Sequence, residues 1–554
     1  MNEETLNLFL EKGFLVSPDL FSEEVDSSIV RSRLNIKDGP VVINKEFFGV
    51  LSNGGIKASL NWQEFERSIA LREKGQNAKT YETFLELLSY NKDLEVKKKV
   101  DSIVSEIRKD PLEVKKDDAK PIHDVRQVPG GEPGLVVVKN FKEEVKKREV
   151  KDFVMHFRDR YESLKNMLMN RLELQNLTSI NRIQNREGND AVSVIGIVFE
   201  KRYTKNGNIQ IDVEDVTGIV KVIANKDRRD VFEAAKDVTL DEVIGVSGTA
   251  RNNFMFATKI IFPDVLMNTN PRKCPEEIYA AFISDVHVGS RKFMEKELLT
   301  FIKWLNCEHG TEEERERAKK VKYLFIVGDL IDGVGVYPGQ EKELVILDIM
   351  KQYERAAEIL SLVRKDLKII ICPGQHDALR VAEPQPALNK EYGPSFFELQ
   401  NVVLVSNPAL INIAAAKDFE GIDVLMYHGA SFHYFIDNID SLRLGMARDN
   451  PRLLMKFLLQ KRHLAPSHAS SGYVPTQKDY LVIDKVPDIF ACGDMHRSDV
   501  STYNGVITIN GSCWQTKTDF QEKTGNNPDF CRVPIINLKT REVTMMRFDP
   551  NENK

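Results

Sequence analysis

A chain of 554 residues has room for about three or four domains. Its 42% hydrophobic and 29% charged residues suit packed cores and exclude a wholly disordered chain. With 78 Lys+Arg against 83 Asp+Glu the net charge is −5, so any grip on nucleic acid has to come from local basic patches.

The start, Met1-Asn2-Glu3-Glu4, lacks the basic region of a secretory signal, and no apolar run approaches the roughly 18 residues that cross a bilayer. Six cysteines lie scattered with no Cys-x-x-Cys pair, which argues against a disulfide framework or a zinc ribbon. A cytoplasmic location is the expectation. Residues 1–90 read as short helices: Leu6, Phe9 and Leu10 form a stripe ended by Gly13, and Ser17-Pro18 opens a further helix. Phe84, Leu85, Leu87 and Leu88 continue the helical spacing, giving a small N-terminal module suited to protein contact.

Residues 91–171 read as a flexible charged linker. Lys97-Lys98-Lys99 and Lys115-Lys116-Asp117-Asp118 are set among Pro111, Pro121, Pro129-Gly130-Gly131 and Pro133-Gly134. Mixed charge with Pro and Gly buries too little apolar area to offset the entropy of ordering.

Residues 172–268 are rich in β signals. Val192 to Val198 form one strand, and the Lys205-Asn206-Gly207-Asn208 turn leads into Ile209, Ile211 and Val213. Gly218 to Ile223, a short helix from Val231 to Ala235, then Val243 to Ala250 and Phe254 to Ile261 complete the set. Five strands with one helix between them suggest an OB-type barrel. Phe199, Tyr203, Phe254 and Phe256 are candidate stacking residues for single strands, and most are expected in the core.

From 269 to 546, before a short tail over 547–554, five apolar runs each end in a loop bearing Asp, His or both. Ile278 to Ile283 leads into Asp285-Val286-His287, and Tyr323 to Val327 into Gly328-Asp329-Leu330-Ile331-Asp332. Leu367 to Ile371 leads into Pro373-Gly374-Gln375-His376-Asp377, Val424 to Met426 into Tyr427-His428-Gly429, and Ile489 to Ala491 into Gly493-Asp494-Met495-His496. Helical stretches such as Glu295 to Leu305 and Glu343 to Leu362 fit between them, which implies a largely parallel sheet covered by helices. Ligands of such sheets bind at the carboxyl ends of the strands, so five loops should meet at one edge.

Taken alone, each signal is weak. An Asp-x-His is usually a surface pair, Gly-Asp-x-x-Asp is often an Asx-capped turn, and a lone His is more often a satisfied core imidazole. Five in order, each at a strand end, point to chemistry. Mixed Asp and His donors suit Mn²⁺, Fe²⁺ or Zn²⁺. Two such ions sharing one carboxylate, for which Asp329 is placed, can clamp the attacking and leaving oxygens of a phosphoryl displacement.

The ordered set Asp285-x-His287, Gly328-Asp329-x-x-Asp332, Gly374-x-His376-Asp377, His428 and x-x-His496 resembles the calcineurin-like metallophosphoesterase superfamily. Several longer stretches resemble, more closely, the small subunits of archaeal family-D DNA polymerases. They include Phe282 to Ser290, Asp332 to Gln340, Ala382-Glu383-Pro384-Gln385-Pro386, Arg462-His463-Leu464-Ala465-Pro466 and Asp479 to Asp484. The resemblance covers about residues 170 to 545 and implies a multi-domain α/β chain: a calcineurin-like phosphoesterase sandwich preceded by an OB-type barrel and the helical N-terminal module. It implies a 3′→5′ exonuclease that proofreads for a separate large polymerizing subunit, acting on single-stranded 3′ ends of DNA.

On the same resemblance, Asp285, His287, Asp329 and His496 would hold one ion, and Asp329, Gln375, His428 and Asp494 the other. Mn²⁺ is the first choice, with Fe²⁺, Zn²⁺ and Mg²⁺ as alternatives. His376 would stabilise charge or protonate the departing 3′ oxygen, and Asp377 and Asp332 would orient it or the ligands. This chain departs from the pattern twice, with Gln375 in place of Asn and Asp494 in place of the first His of Gly-His-x-His. Both departures fall on the second ion. The alternative is a non-catalytic scaffold for the polymerizing subunit, with a degraded metal site. Arg443, Arg448, Lys461 and Arg462 are candidates for the DNA backbone, against solvated helix faces as the plainer reading.

Overall fold

A computed structural model describes residues 134–143, 146–184, 190–251, 253–518, 521–522 and 525–549, with two short strands near the N-terminus. Those strands, Leu15–Val16 and Val42–Ile43, pair in parallel, where the sequence pattern led us to expect helices. The rest of the helical module expected over 1–90 lies outside the described residues. So does most of the linker, but its expected end at residue 171 is corrected. The run Val136–Asn140 (β1) is a sheet strand, and Val150–Leu168 (α1) is a helix of 19 residues. Phe157, Tyr161, Leu164 and Leu168 repeat on one face of α1 and are buried, and this apolar stripe outweighs the surrounding charge.

The β-rich region closes into a five-stranded barrel. Its strands are Asp190–Tyr203 (β2), Ile209–Asp215 (β3), Gly218–Ala224 (β4), Val243–Arg251 (β5) and Phe254–Ile261 (β6). They run in the order β2-β3-β4-β6-β5, closed by the β5–β2 pairing. Alternation sends Val194, Ile211, Val222, Val246 and Met255 inward, each fully buried aliphatic side chain stabilising by about 1.5–3 kcal/mol. Helix Arg229–Lys236 (α2) packs Val231 and Ala235 onto this core. The same period of two corrects the aromatic assignment. With Met255 and Ala257 inside, Phe254 and Phe256 are exposed, as is Tyr203.

The remaining strands build two sheets, not the single largely parallel sheet expected. The first contains Tyr279–Ile283 (β7), Val321–Val327 (β8), Lys368–Cys372 (β9) and Val402–Leu404 (β10), all parallel. The second contains Ala409–Ile413 (β11), Ile422–Met426 (β12), Ile489–Cys492 (β13), Asp499–Tyr503 (β14) and Val506–Asn510 (β15). The strands Arg532–Asn537 (β16) and Val543–Arg547 (β17) extend the first sheet antiparallel to β7. Six strands result in each, ordered β10-β9-β8-β7-β16-β17 and β14-β15-β13-β12-β11-β1.

The two sheets share a core. Phe282, Phe325 and Ile370 of the first meet Ile411, Val424 and Ile509 of the second. On the opposite face of the first sheet, Ile283, Ile326 and Ile371 pack on the helices Glu295–Leu305 (α3) and Ile349–Ser361 (α4). Strands buried on both faces read as unbroken apolar runs, so their sequence carries no sign of which sheet they join. Among the described residues, no helix is long and apolar enough to cross a membrane.

Candidate metal centre

Three loops leave the carboxyl ends of β7, β8 and β9, and two leave β12 and β13 of the other sheet. They converge. Asp285, His287 and His496 bring donor atoms within reach of a single ion, and so do Asp285, Asp329 and His428. A third group, His287, Asp332 and His376, overlaps the first. His428 Nε2 lies 3.2 Å from Asp329 Oδ2, His496 Nε2 lies 3.3 Å from Asp285 Oδ1, and the Nε2 atoms of His287 and His496 are 3.2 Å apart.

The backbone is bent to aim these groups. Asp285, His287, Asp329, Asp494 and His496 all have positive φ, between 50° and 67°. This conformation costs of order 1–3 kcal/mol for a residue with a side chain and persists where function requires it. The two Asp-x-His units, one per sheet, share this geometry. Glycine supplies the clearance: a Cβ on Gly328, itself at φ +79°, would stand 2.1 Å from His428 Nδ1, and one on Gly374 2.2 Å from Asp329 Oδ1.

Hydrogen bonds orient the rings. His428 Nδ1 lies 3.0 Å from Val327 O, leaving a buried Nε2 with no hydrogen-bond partner among the described residues. His496 Nδ1 is 2.8 Å from Gln521 Nε2. His376 Nδ1 is 2.7 Å from Asp332 O, its backbone N–H donates to Asp329 Oδ1 at 2.9 Å, and its Nε2 stands 4.0 Å from Asp329 Oδ2. Burial would raise the Asp329 carboxyl, but the His428 and His376 imidazoles hold it far below the usual carboxylate range.

Asp377 does not orient His376 as expected. Its Oδ2 accepts from the N–H groups of Gly374 at 2.8 Å and Leu330 at 3.3 Å, and its Oδ1 accepts from Tyr353 at 3.0 Å. It ties the β8 and β9 loops together, and burial with the nearby Asp329 pushes its carboxyl up to about 6. The Asp332 carbonyl orients His376 instead. Gln375 is half-buried and makes no hydrogen bond to a described residue. Asp494 Oδ1 is 3.9 Å from His428 Nε2, outside the compact donor groups. Of the basic candidates, Lys461 and Arg462 are buried: Lys461 bonds Glu242 and Asp237 O, and Arg462 bonds Ile483 O. Neither is a free DNA contact.

Neutral amides that sequence reasoning missed complete the surroundings. Gln515 Nε2 donates to Ser290 Oγ at 2.7 Å and to Asp332 Oδ1 at 3.1 Å. Asn407 Oδ1 accepts from His428 N at 3.0 Å, its Nδ2 donates to Gln385 Oε1 at 2.8 Å, and Gln385 Nε2 donates to Gly374 O at 2.9 Å. Gln340 Nε2 donates to Asp332 O at 2.7 Å. The Glu383-Pro384-Gln385-Pro386 and Tyr337-Pro338-Gly339-Gln340 stretches thus brace the site loops from behind. The Arg462 to Pro466 and Asp479 stretches serve elsewhere. There Asp479 Oδ2 takes Arg160 Nε at 2.7 Å and faces His463 Nε2 at 2.9 Å, while Arg160 Nη1 reaches Asp241 O of the barrel side at 3.2 Å.

The donors fit a hard or borderline divalent cation. They are carboxylate oxygens and imidazole nitrogens with no thiolate, and His428 Nε2 is a buried polar atom without a partner.

Residues 192–261 match the OB-fold nucleic acid binding domain, so the barrel is an OB fold. Residues 280–501 match the family of B-type subunits of DNA polymerases alpha and epsilon. The DNA polymerase II small subunit of Methanothermobacter thermautotrophicus is 40% identical over 392 residues, covering 70% of this chain and 78% of that one. That of Archaeoglobus fulgidus is 41% identical over 400 residues, 72% and 77% of the two chains. For Pyrococcus abyssi the figures are 39% over 397 residues, 71% and 62%. The chain belongs to the family of DNA polymerase II small subunits.

Proposed function

We propose that this subunit carries a metal-dependent 3′→5′ DNA exonuclease that removes nucleotides from single-stranded 3′ ends and so proofreads for the large polymerizing subunit, on which it docks. The two-sheet body is, in this reading, a calcineurin-like phosphoesterase sandwich. The observation that carries the proposal is the gathering of Asp285, His287, Asp329, His428 and His496 from four loops into overlapping donor groups.

Asp285, His287, Asp329 and His496 would hold one divalent ion, and Asp329 and His428, with Asp494 and Gln375 at the rim, a second. Mn²⁺ suits this donor set. Bound there, such ions supply Lewis acidity at the phosphoryl oxygens and lower the pKa of water. His376 handles the proton. With Nδ1–H donated to the Asp332 carbonyl, the imidazolium form presents its second N–H at Nε2 to the departing 3′ oxygen, and the side chain is 20% exposed at the rim where DNA can reach it. Asp377, Gln385 and Asn407 keep the loops in register without touching the substrate.

A scaffold role in the polymerase is compatible with the same fold, but it gives no reason for five strained positions and a buried imidazole Nε2 that, among the described residues, makes no hydrogen bond. The test is direct. The purified chain with Mn²⁺ and a single-stranded or 3′-recessed DNA should shorten it from the 3′ end. Cleavage no greater than that of Asp329→Ala would overturn the proposal and leave only the scaffold.

A further inference from the structure

The second ion's half of the site contains a residue that no pattern above absorbs. His433 lies in the first turn of the helix Phe432–Asn438 (α5), directly after the His428 loop. Its side chain is 47% exposed, and its Nε2 is 3.5 Å from Asp494 Oδ2. Asp494 is 7% exposed in its side chain, and its Oδ2 is buried with no hydrogen-bond partner. Its Oδ1 points the other way, 3.9 Å from His428 Nε2, an equally unpartnered buried atom. The two oxygens of one carboxylate are thus divided between the ion side and the rim.

The backbone at 494 leaves this side chain little else. Asp494 N donates to both oxygens of Asp285 at 3.2 Å, φ is 67°, and a Cβ on Gly429 would come within 3.0 Å of the Asp494 Cβ. The main chain is fixed by the first donor group, while the carboxylate can still turn about its last bond. A carboxylate that binds metal through one oxygen needs its other oxygen held, and such outer partners commonly govern affinity. Among the described residues, His433 reaches Asp494 and no other residue of the site, so it stands behind Asp494 and not in the ion's own coordination.

We propose that His433 is a positioning residue for the second cation: it holds Asp494 Oδ2 so that Oδ1 faces His428 and Asp329. This rests on the two-cation reading above. It also gives the exchange of an imidazole for a carboxylate at 494 a physical partner, because a ring at that position has no second oxygen for His433 to hold.

The test is Mn²⁺ binding to the full chain, followed by paramagnetic resonance of the coupled ion pair and by calorimetry. The wild type should bind two ions. His433→Ala should leave the first unchanged and weaken the second by roughly 10–100-fold. His433→Gln, whose amide N–H still reaches the carboxylate, should recover most of that loss. In an Asp494→His background, His433→Ala should change nothing. Each His433 variant should melt as its own parent does, since His433 is half-exposed.

Second-ion affinity unaffected by His433→Ala overturns the inference, and so does a loss that persists unchanged in the Asp494→His background. Binding of a single ion by the wild type overturns both this inference and the two-cation reading. Two ions bound with the expected His433 dependence, but no cleavage of DNA, removes the exonuclease and leaves the role of His433 standing.

Discussion

Replacing Gly374 by alanine isolates how tightly the site is built. Gly374 has no positive φ, so alanine suits its backbone and any penalty comes from contact alone. The added Cβ would stand 2.2 Å from Asp329 Oδ1, 2.5 Å from Asp329 N and 2.8 Å from His428 Nε2. None of these atoms can swing aside: one is backbone, and the others belong to fully enclosed donor residues. Restoring ordinary contact requires the β8 and β9 loops to part by on the order of 1 Å.

That movement lengthens the His376 N–H bond to Asp329 Oδ1, now 2.9 Å, and the Leu330 N–H bond to Asp377 Oδ2, now 3.3 Å. Overpacking costs about 1–3 kcal/mol, and each weakened bond adds about 1 kcal/mol. A total loss of about 3–5 kcal/mol in unfolding free energy follows. A misplacement of about 1 Å at the ligands should lower DNA cleavage by roughly 100-fold. Urea unfolding gives the first quantity, and single-turnover shortening of a 3′-labelled strand the second. If Gly374→Ala melts and cleaves as the wild type does, the packing of Asp329 and His428 around Gly374 is wrong.

Three further outcomes follow from the same geometry. Burial pushes the Glu383 carboxyl up to about 7, so the native state keeps a proton that the unfolded chain gives up from about pH 4.5. Stability should therefore fall by about 3 kcal/mol as pH rises from 4.5 to 7. Glu383→Gln should flatten that slope in melts across the range, and an unchanged slope would contradict the assignment. Arg160→Leu leaves Asp479 buried beside His156 and His463 without its permanent cation, and should lower stability by about 3–5 kcal/mol. A melting temperature equal to that of the wild type would contradict this. Phe254→Ser with Phe256→Ser removes two exposed rings, the first beside Lys221, and should change stability by less than about 1 kcal/mol. If the OB barrel carries single strands on that face, the same pair weakens oligonucleotide binding by roughly 1–3 kcal/mol per lost stack.

Much of the site was legible in the sequence because strand-end loops carry their Asp and His immediately after unbroken apolar runs. Asp285, His287, Asp329, His428 and His496 stand out against such neighbours, and they are the residues gathered. The barrel was legible through its alternation and its Asn-Gly turn. The second sheet was not, because Ile489–Cys492 is an unbroken apolar run and Ile422–Met426 buries even its one polar residue, Asp423. Helix Val150–Leu168 was hidden by charge, although Phe157, Tyr161, Leu164 and Leu168 carry a helical repeat.

Gln515, Gln521, Gln385 and Asn407 could not be found in advance. Neutral amides show neither charge nor ligand spacing, and only the fold brings them to Asp332, His496, Gly374 and His428. Asp377 was misjudged for a related reason. An acid beside a candidate base reads as its partner, but here its oxygens are taken by backbone N–H groups and Tyr353.

The most direct measurement is anomalous scattering at the manganese edge from crystals of the chain grown or soaked with Mn²⁺. Two peaks are expected, both bordering Asp329, one toward Asp285, His287 and His496 and the other toward His428. Full occupancy of Mn²⁺ elsewhere with no peak at Asp329 would contradict the account.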